Sequence, residues 1–126
     1  MKLTLRSDLP FVTASICYAG AVAQIDNVLV DTGSAGTVLR ADDLAVLGIV
    51  PQPHDRLRAI RGIGGREVVF ARTVDWIEVG GRRVEAIDVE VGAMEYGFAI
   101  RGILGMDFLT RAGAMLDLST LTIEFA

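Results

Sequence analysis

The 126-residue chain contains one cysteine, one histidine, one lysine and one tryptophan. Each scarcity removes a class of chemistry. Cys17 can form no disulfide within the chain. It sits in an apolar, strand-like run, where a free cysteine acts as a small core residue rather than a nucleophile. Any Ser-His-Asp or Cys-His site would have to use His54, but its neighbours Pro51, Pro53 and Asp55 read as a surface loop, so it is assigned no role. Neither CxxC nor HExxH spacing occurs, so no structural metal is expected, and no cofactor. No segment reaches the roughly 20 apolar residues of a membrane span. A basic excess is also missing: the net charge of −4 argues against nucleic acid or an anionic membrane surface as a partner.

What is present describes a folded domain. Apolar residues make up 52% and charged residues 22%, which gives a globular chain with a modest core, read as one domain over 1–126. Fourteen glycines point to many tight turns between short strands. Lys2 and Arg6 precede an uncharged stretch over 9–25, in which Ala21-Val22-Ala23 mimics a leader cleavage site. Asp8 and Pro10 interrupt it, and Thr13, Ser15 and Tyr18 keep it only mildly apolar, so it reads as structure and a cytoplasmic setting is expected. Arginine outnumbers lysine eleven to one, which hints at a GC-rich bacterial source.

Along the chain, residues 11–18 alternate as a half-buried strand, with Val12, Ala14, Ile16 and Tyr18 on one face. Ala19-Gly20 turns the chain, and 22–30 returns as one or two strands. Residues 41–48 suit a short helix with glycine past its end. Residues 57–60 and 67–79 read as strands around a glycine-rich tip, and 82–91 as a further strand whose imperfect alternation suggests a bulge. Residues 107–112 suit a second short helix, and 115–118 with 121–125 a final hairpin. Many short strands and two small helices predict an all-β, closed-barrel domain.

Three segments carry chemistry. Val28-Leu29-Val30 delivers Asp31-Thr32-Gly33-Ser34, a carboxylate at the end of a buried strand, which is costly unless compensated. Gly62-Ile63-Gly64-Gly65 would form the tip of the hairpin over 57–79. Ile103-Leu104-Gly105 precedes the second helix, which begins near Asp107. In this order, and spanning most of the chain, the three resemble the retropepsins, the retrovirus-type aspartic proteases, in the single-domain cellular or bacterial form. The resemblance implies an all-β acid-protease barrel, with Gly62, Ile63, Gly64 and Gly65 as a substrate-covering flap and Ile103, Leu104 and Gly105 as the floor. It also implies an aspartic endopeptidase. One Asp31 per chain requires a homodimer, in which the two carboxylates share a proton and activate water for attack on a peptide bond. Thr32 would hydrogen-bond the partner's loop, and Gly33 would permit close backbone approach. Ser34, in place of the alanine common in viral members, would offer its hydroxyl to Asp31 and favour the ionised form.

Apolar Leu39, Ile63 and residues 100–104 would favour hydrophobic side chains flanking the scissile bond. Where viral members carry an acid–arginine dimer bridge, this chain has Ala35 and Met106, so the hairpin over 115–125 is expected to hold the dimer instead. Asp42 and Asp43 read as first-turn helix acids, Asp107 as a cap or first helical residue, and Asp26 as a turn residue. Glu85, Asp88 and Glu90 read as solvent-facing, and Trp76 as half-buried packing. Two other readings stay open: a catalytically silent peptide-binding or dimerisation module of the same fold, and a regulatory ligand-binding barrel that uses Asp31 structurally.

Overall fold

A computed structural model of the chain describes residues 1–62, 65–94 and 99–126. The strands are β1 (Thr4–Arg6), β2 (Leu9–Tyr18), β3 (Ala21–Val30), β4 (Thr37–Arg40), β5 (Leu57–Gly62), β6 (Gly65–Val79), β7 (Arg82–Gly92), β8 (Gly102–Leu104), β9 (Ala114–Asp117) and β10 (Thr122–Phe125). Two short helices are α1 (Ala41–Ala45) and α2 (Met106–Ala112). Strands β1 to β8 form one sheet in the order β1-β2-β3-β8-β4-β7-β6-β5, and β9 and β10 form a separate hairpin. A short pairing of Ser15, Ile16 and Cys17 with Glu78, Ile77 and Trp76 joins β2 to β6 and partly closes the large sheet on itself. The expected all-β architecture with two short helices is what the chain adopts.

Local sequence explains the long hairpins. Ala19 and Gly20 both take positive φ (50° and 84°), as do Gly80 and Gly81 (56° and 83°). Two-residue turns of this kind match the right-handed twist of the strands they join. Gly113 ends α2 at φ 68°, and its N–H reaches the carbonyls of Leu109 and Thr110. The stretch 9–25 that mimics a leader lies within the β2–β3 hairpin. β1 and β4 were not expected as strands. In β7 the irregularity is milder than a bulge: Ala86 takes φ 51°, yet the β6–β7 register is the same on both sides of it.

The bulge lies in β3. Val12 pairs with Val28 but Ala14 with Ile25, so β3 carries one extra residue there. Asn27 absorbs it at φ 55°, a conformation asparagine tolerates better than most residues. Asp26 is therefore part of a bulged strand, not a turn, and it accepts a hydrogen bond from Thr13 Oγ1 at 3.1 Å. The bulge changes which face is buried. Before it, Ala23 and Ile25 pack on the main core, and after it Val28 and Val30 do so. Leu29 then faces a second apolar cluster with Phe11, Val38, Met94, Ile100 and Ile103. Side chains alternate along a strand, so Asp31 follows Leu29 towards that second cluster. Without the extra residue it would be aimed into the main core.

Candidate active site

The Asp31 loop is built on a strand crossing. β8 runs between β3 and β4, parallel to β3 and antiparallel to β4, while β3 and β4 are joined by the loop itself. Thus Val30 pairs with Leu104, and the Asp31 N–H continues the ladder to the Leu104 carbonyl at 3.0 Å. Asp31 is half-buried, and Thr32 and Gly33 are exposed. The Gly33 N–H donates to Asp31 Oδ1 at 2.8 Å, which fixes the carboxylate within its own turn. A Cβ on Gly33 would stand 3.1 Å from that oxygen, so the residue lets backbone and carboxylate approach closely.

The Ser34 hydroxyl differs from expectation. It donates to the Gly36 carbonyl at 2.7 Å and so braces the loop from within, leaving Asp31 to the Gly33 amide. The reason is geometric: Gly36 folds back over Gly105, which brings its carbonyl to the serine. At Gly105 a Cβ would lie 2.3 Å from the Gly36 oxygen and 2.9 Å from the Ser34 oxygen, so no side chain fits. Here the loop meets the start of α2. Met106 N–H donates to the Ser34 carbonyl at 2.8 Å and Asp107 N–H to the Ala35 carbonyl at 3.1 Å. Ala35 and Met106, which lack a charged pair, do not bond each other; backbone bonds from Met106 to Ser34 and from Asp107 to Ala35 tie the loop to α2 there.

Two residues that sequence reasoning did not assign to the site support this junction. Thr37 is fully buried. Its hydroxyl donates to Asp107 Oδ1 at 2.8 Å and accepts from the Gly105 N–H at 3.1 Å. Its own N–H donates to Asp107 Oδ2 at 3.2 Å. Asp107 is thus more than a first-turn acid: it ties α2 to the strand leaving the Asp31 loop. A threonine soon after the Asp-Thr-Gly run and an aspartate two residues past Gly105 were the available signals.

The floor residues divide between two environments. Ile103 packs in the second apolar cluster beside Leu29, while Leu104 packs in the main core. Leu39 also belongs to the main core and not to the site, because Val38 is the β4 residue that faces the cluster. Ile100 does face it, and Ile60 of β5 packs against it, which brings the β5 arm of the β5–β6 hairpin to the Asp31 side of the sheet. At the end of the β5–β6 hairpin, where a flap was expected, Gly62 pairs with Gly65. Ile63 and Gly64 lie outside the described residues.

A cavity of about 410 Å³ lies beside the loop, lined by Ala35, Gly36, Arg58, Val69, Glu90 and Asp107 among others. Glu90 is not the solvent-facing residue expected: its side chain is 14% exposed and pairs with Arg58 Nη2 at 2.8 Å. Burial, with Asp107 nearby, pushes the Glu90 carboxyl up despite the opposing pull of Arg58. Asp43 takes part in a triad, bonded by both Arg40 and Arg101, which ties α1 to the segment entering β8. Burial acts to raise its carboxyl, and the two guanidiniums outweigh burial and hold it below the usual carboxylate range. Cys17 is buried and donates to Asp75 Oδ2, and Trp76 is half-buried with Arg83 stacked on its ring. Among the described residues, no three His, Cys, Asp or Glu side chains are grouped to hold a metal ion, and no helix is long and apolar enough to cross a membrane.

An all-β domain with an Asp-Thr-Gly loop on a strand crossing, an apolar cluster on the carboxylate's side and a glycine-tipped hairpin has the form of a retropepsin-like acid protease. A family model described as aspartyl protease, within the retropepsin-like clan, matches residues 13–108, and the chain belongs to that family. No curated protein matches the chain. Family membership supports a peptidase-type hydrolase function.

Proposed function

We propose that the chain is an aspartic endopeptidase that works as a homodimer. The observation that carries this reading is the placement of Asp31. A bulge turns it out of the main core, the Gly33 amide holds one of its oxygens, and a second apolar cluster packs on the same side of the sheet. One protomer supplies one such carboxylate, so the second comes from another copy. In the dyad, one Asp31 acts as general base on a water that attacks the scissile carbonyl. The other donates its proton to the carbonyl oxygen, giving a gem-diol; the first, now protonated, then protonates the leaving nitrogen as the C–N bond breaks, while the second takes a proton back from a diol hydroxyl. In this reading Thr32, which is exposed beside Asp31, hydrogen-bonds the partner's loop, and the β5–β6 hairpin covers an extended peptide bound as an added strand.

The free edge for assembly is β9. The outer side of β10 is taken by the N-terminal segment: Lys2 bridges Thr122, and the Leu3 and Ile123 amides donate to the Leu121 and Met1 carbonyls. Among the described residues β9 pairs with β10 alone, and the hairpin exposes Met115, Leu116 and Leu118. An unpaired apolar edge of this kind favours pairing with its own copy. The test is cleavage of a diverse peptide library by wild type and Asp31→Asn over a range of protein concentrations. Activity that vanishes in the variant and rises faster than linearly with concentration supports the reading. A folded, dimeric protein that cuts nothing at any pH favours the silent peptide-binding module.

A further inference from the structure

On the reading just given, the cavity beside the Asp31 loop is part of the substrate groove, and we infer that Glu90 selects peptides carrying a lysine or arginine side chain at the position that enters it. The cavity is bordered by the loop (Ala35, Gly36), the flap arm (Leu57, Arg58) and β7 (Asp88, Glu90). Its volume of about 410 Å³ has room for a long basic side chain. Glu90 reaches it because β7 alternates: Val89 and Val91 are buried in the main core, so Glu90 faces the other way. It lies hard against the active-site loop, since a Cβ on Gly36 would stand 3.4 Å from its Oε1. Glycine at that loop position keeps the carboxylate against the groove.

The charges in the cavity are not equally free. Asp107 is engaged by Thr37 and the Phe108 amide, and Asp88 accepts from the Thr73 hydroxyl. Glu90 is held by one contact to Arg58, and the two partners differ sharply in exposure, with 14% for the carboxylate side chain and 64% for the guanidinium. The carboxylate is fixed and desolvated, while the cation sits at the solvent end of a flexible stem on the flap arm. A partner that exposed is displaced at little cost. A substrate cation can therefore take its place on a carboxylate that burial leaves short of positive charge. Arg56, exposed, also lines the cavity, so an acidic side chain is disfavoured where it enters beside Glu90 and Asp107 rather than at the outer rim.

The experiment compares a peptide series identical except at one position (Lys, Arg, Gln or Glu), cut by wild type, Glu90→Gln, Glu90→Lys and Arg58→Gln. The same labelled peptides are titrated against the Asp31→Asn protein, which needs no turnover. For wild type, kcat/KM for the Lys and Arg peptides is expected to exceed that for Gln about tenfold, mainly through KM. The ratio falls to about one in Glu90→Gln, inverts in favour of Glu in Glu90→Lys and grows in Arg58→Gln. Binding to Asp31→Asn follows the wild-type order. Equal handling of all four peptides by wild type, or a basic preference that survives in Glu90→Gln, overturns the assignment and leaves the peptidase reading intact. Peptides that are neither bound nor cut overturn both. A basic preference in binding without any cleavage supports the role of Glu90 while the peptidase reading fails.

Discussion

The junction between the Asp31 loop and α2 makes Gly105→Ala the most informative single change. The added methyl carbon would lie 2.3 Å from the Gly36 carbonyl oxygen, 2.6 Å from its carbon and 2.9 Å from the Ser34 oxygen. All three are backbone atoms, so no side chain can swing aside. Ordinary contact distance requires the loop and the helix start to separate by about 1 Å. Overpacking of this kind costs about 1–3 kcal/mol. Three hydrogen bonds span the same gap: Met106 N–H to Ser34, Asp107 N–H to Ala35, and Gly105 N–H to Thr37 Oγ1. Each contributes about 1 kcal/mol. With some relaxation, a net loss of about 3–5 kcal/mol is expected, a large share of a typical domain's stability. Urea denaturation followed by circular dichroism measures it. Whatever remains folded should cleave peptides about a hundredfold more slowly, because a displacement of about 1 Å at the reacting groups is that costly. Gly33→Ala is the contrast. Its Cβ meets only Asp31 Oδ1, at 3.1 Å, so stability should change by less than about 1 kcal/mol while cleavage falls. If Gly105→Ala is as stable and as active as wild type, the junction does not hold the loop as described.

Thr37→Val leaves the Gly105 amide and the Asp107 carboxylate short of a buried partner, and is expected to cost about 2 kcal/mol by denaturation, more than the isosteric swap itself would. Asn27→Val places a β-branched residue at φ 55° and should destabilise by about 1–2 kcal/mol, whereas Asn27→Gly should be close to neutral. For Asp43 the folded carboxyl lies below its unfolded value, so its stabilising effect is complete above the unfolded pKa and is lost as pH falls through the depressed folded one. Asp43→Asn should therefore be less stable than wild type at neutral pH, with the difference shrinking in melting curves taken towards acid. Leu116→Arg on the free β9 edge should weaken self-association about tenfold or more in sedimentation without unfolding the protomer.

What could be read from the sequence was local. The hairpins around Ala19-Gly20 and Gly80-Gly81 announce themselves by alternation and turn glycines, and α2 by the glycine that stops it. β4 and β8 are short, and their partners are distant: Thr37 pairs with Val89, and Val28 with Gly102. No local pattern signals a parallel pairing across that separation. β1 is exposed along its length and shows no alternation. The bulge at Asn27 is also hidden, because its effect is visible only once the faces of Ala23, Ile25, Val28 and Val30 are compared in the fold.

The same division applies to the site. The contact between Asp31 and Gly33 joins residues two apart, the range over which a sequence is readable. The Ser34 hydroxyl was assigned to Asp31 because the carboxylate is near in sequence, while the Gly36 carbonyl becomes its acceptor only when the loop folds over Gly105. Asp107 has the look of a first-turn helix acid, and its partner Thr37 lies 70 residues away. Glu90 sits on the face opposite Val89 and Val91 as a solvent-facing residue would, but β5, carrying Arg58, encloses that face. Charged residues on strands declare which face they occupy, not what covers it.

A dyad with one Asp31 from each protomer makes a prediction about mixtures. Wild type and Asp31→Asn are combined in equal amounts, allowed to exchange, and assayed at a fixed total concentration. If each active site needs both carboxylates, random pairing leaves about one quarter of the dimers active, and activity should fall to about a quarter of that of wild type alone. Activity of about one half would mean that a single protomer suffices, and would contradict the shared site.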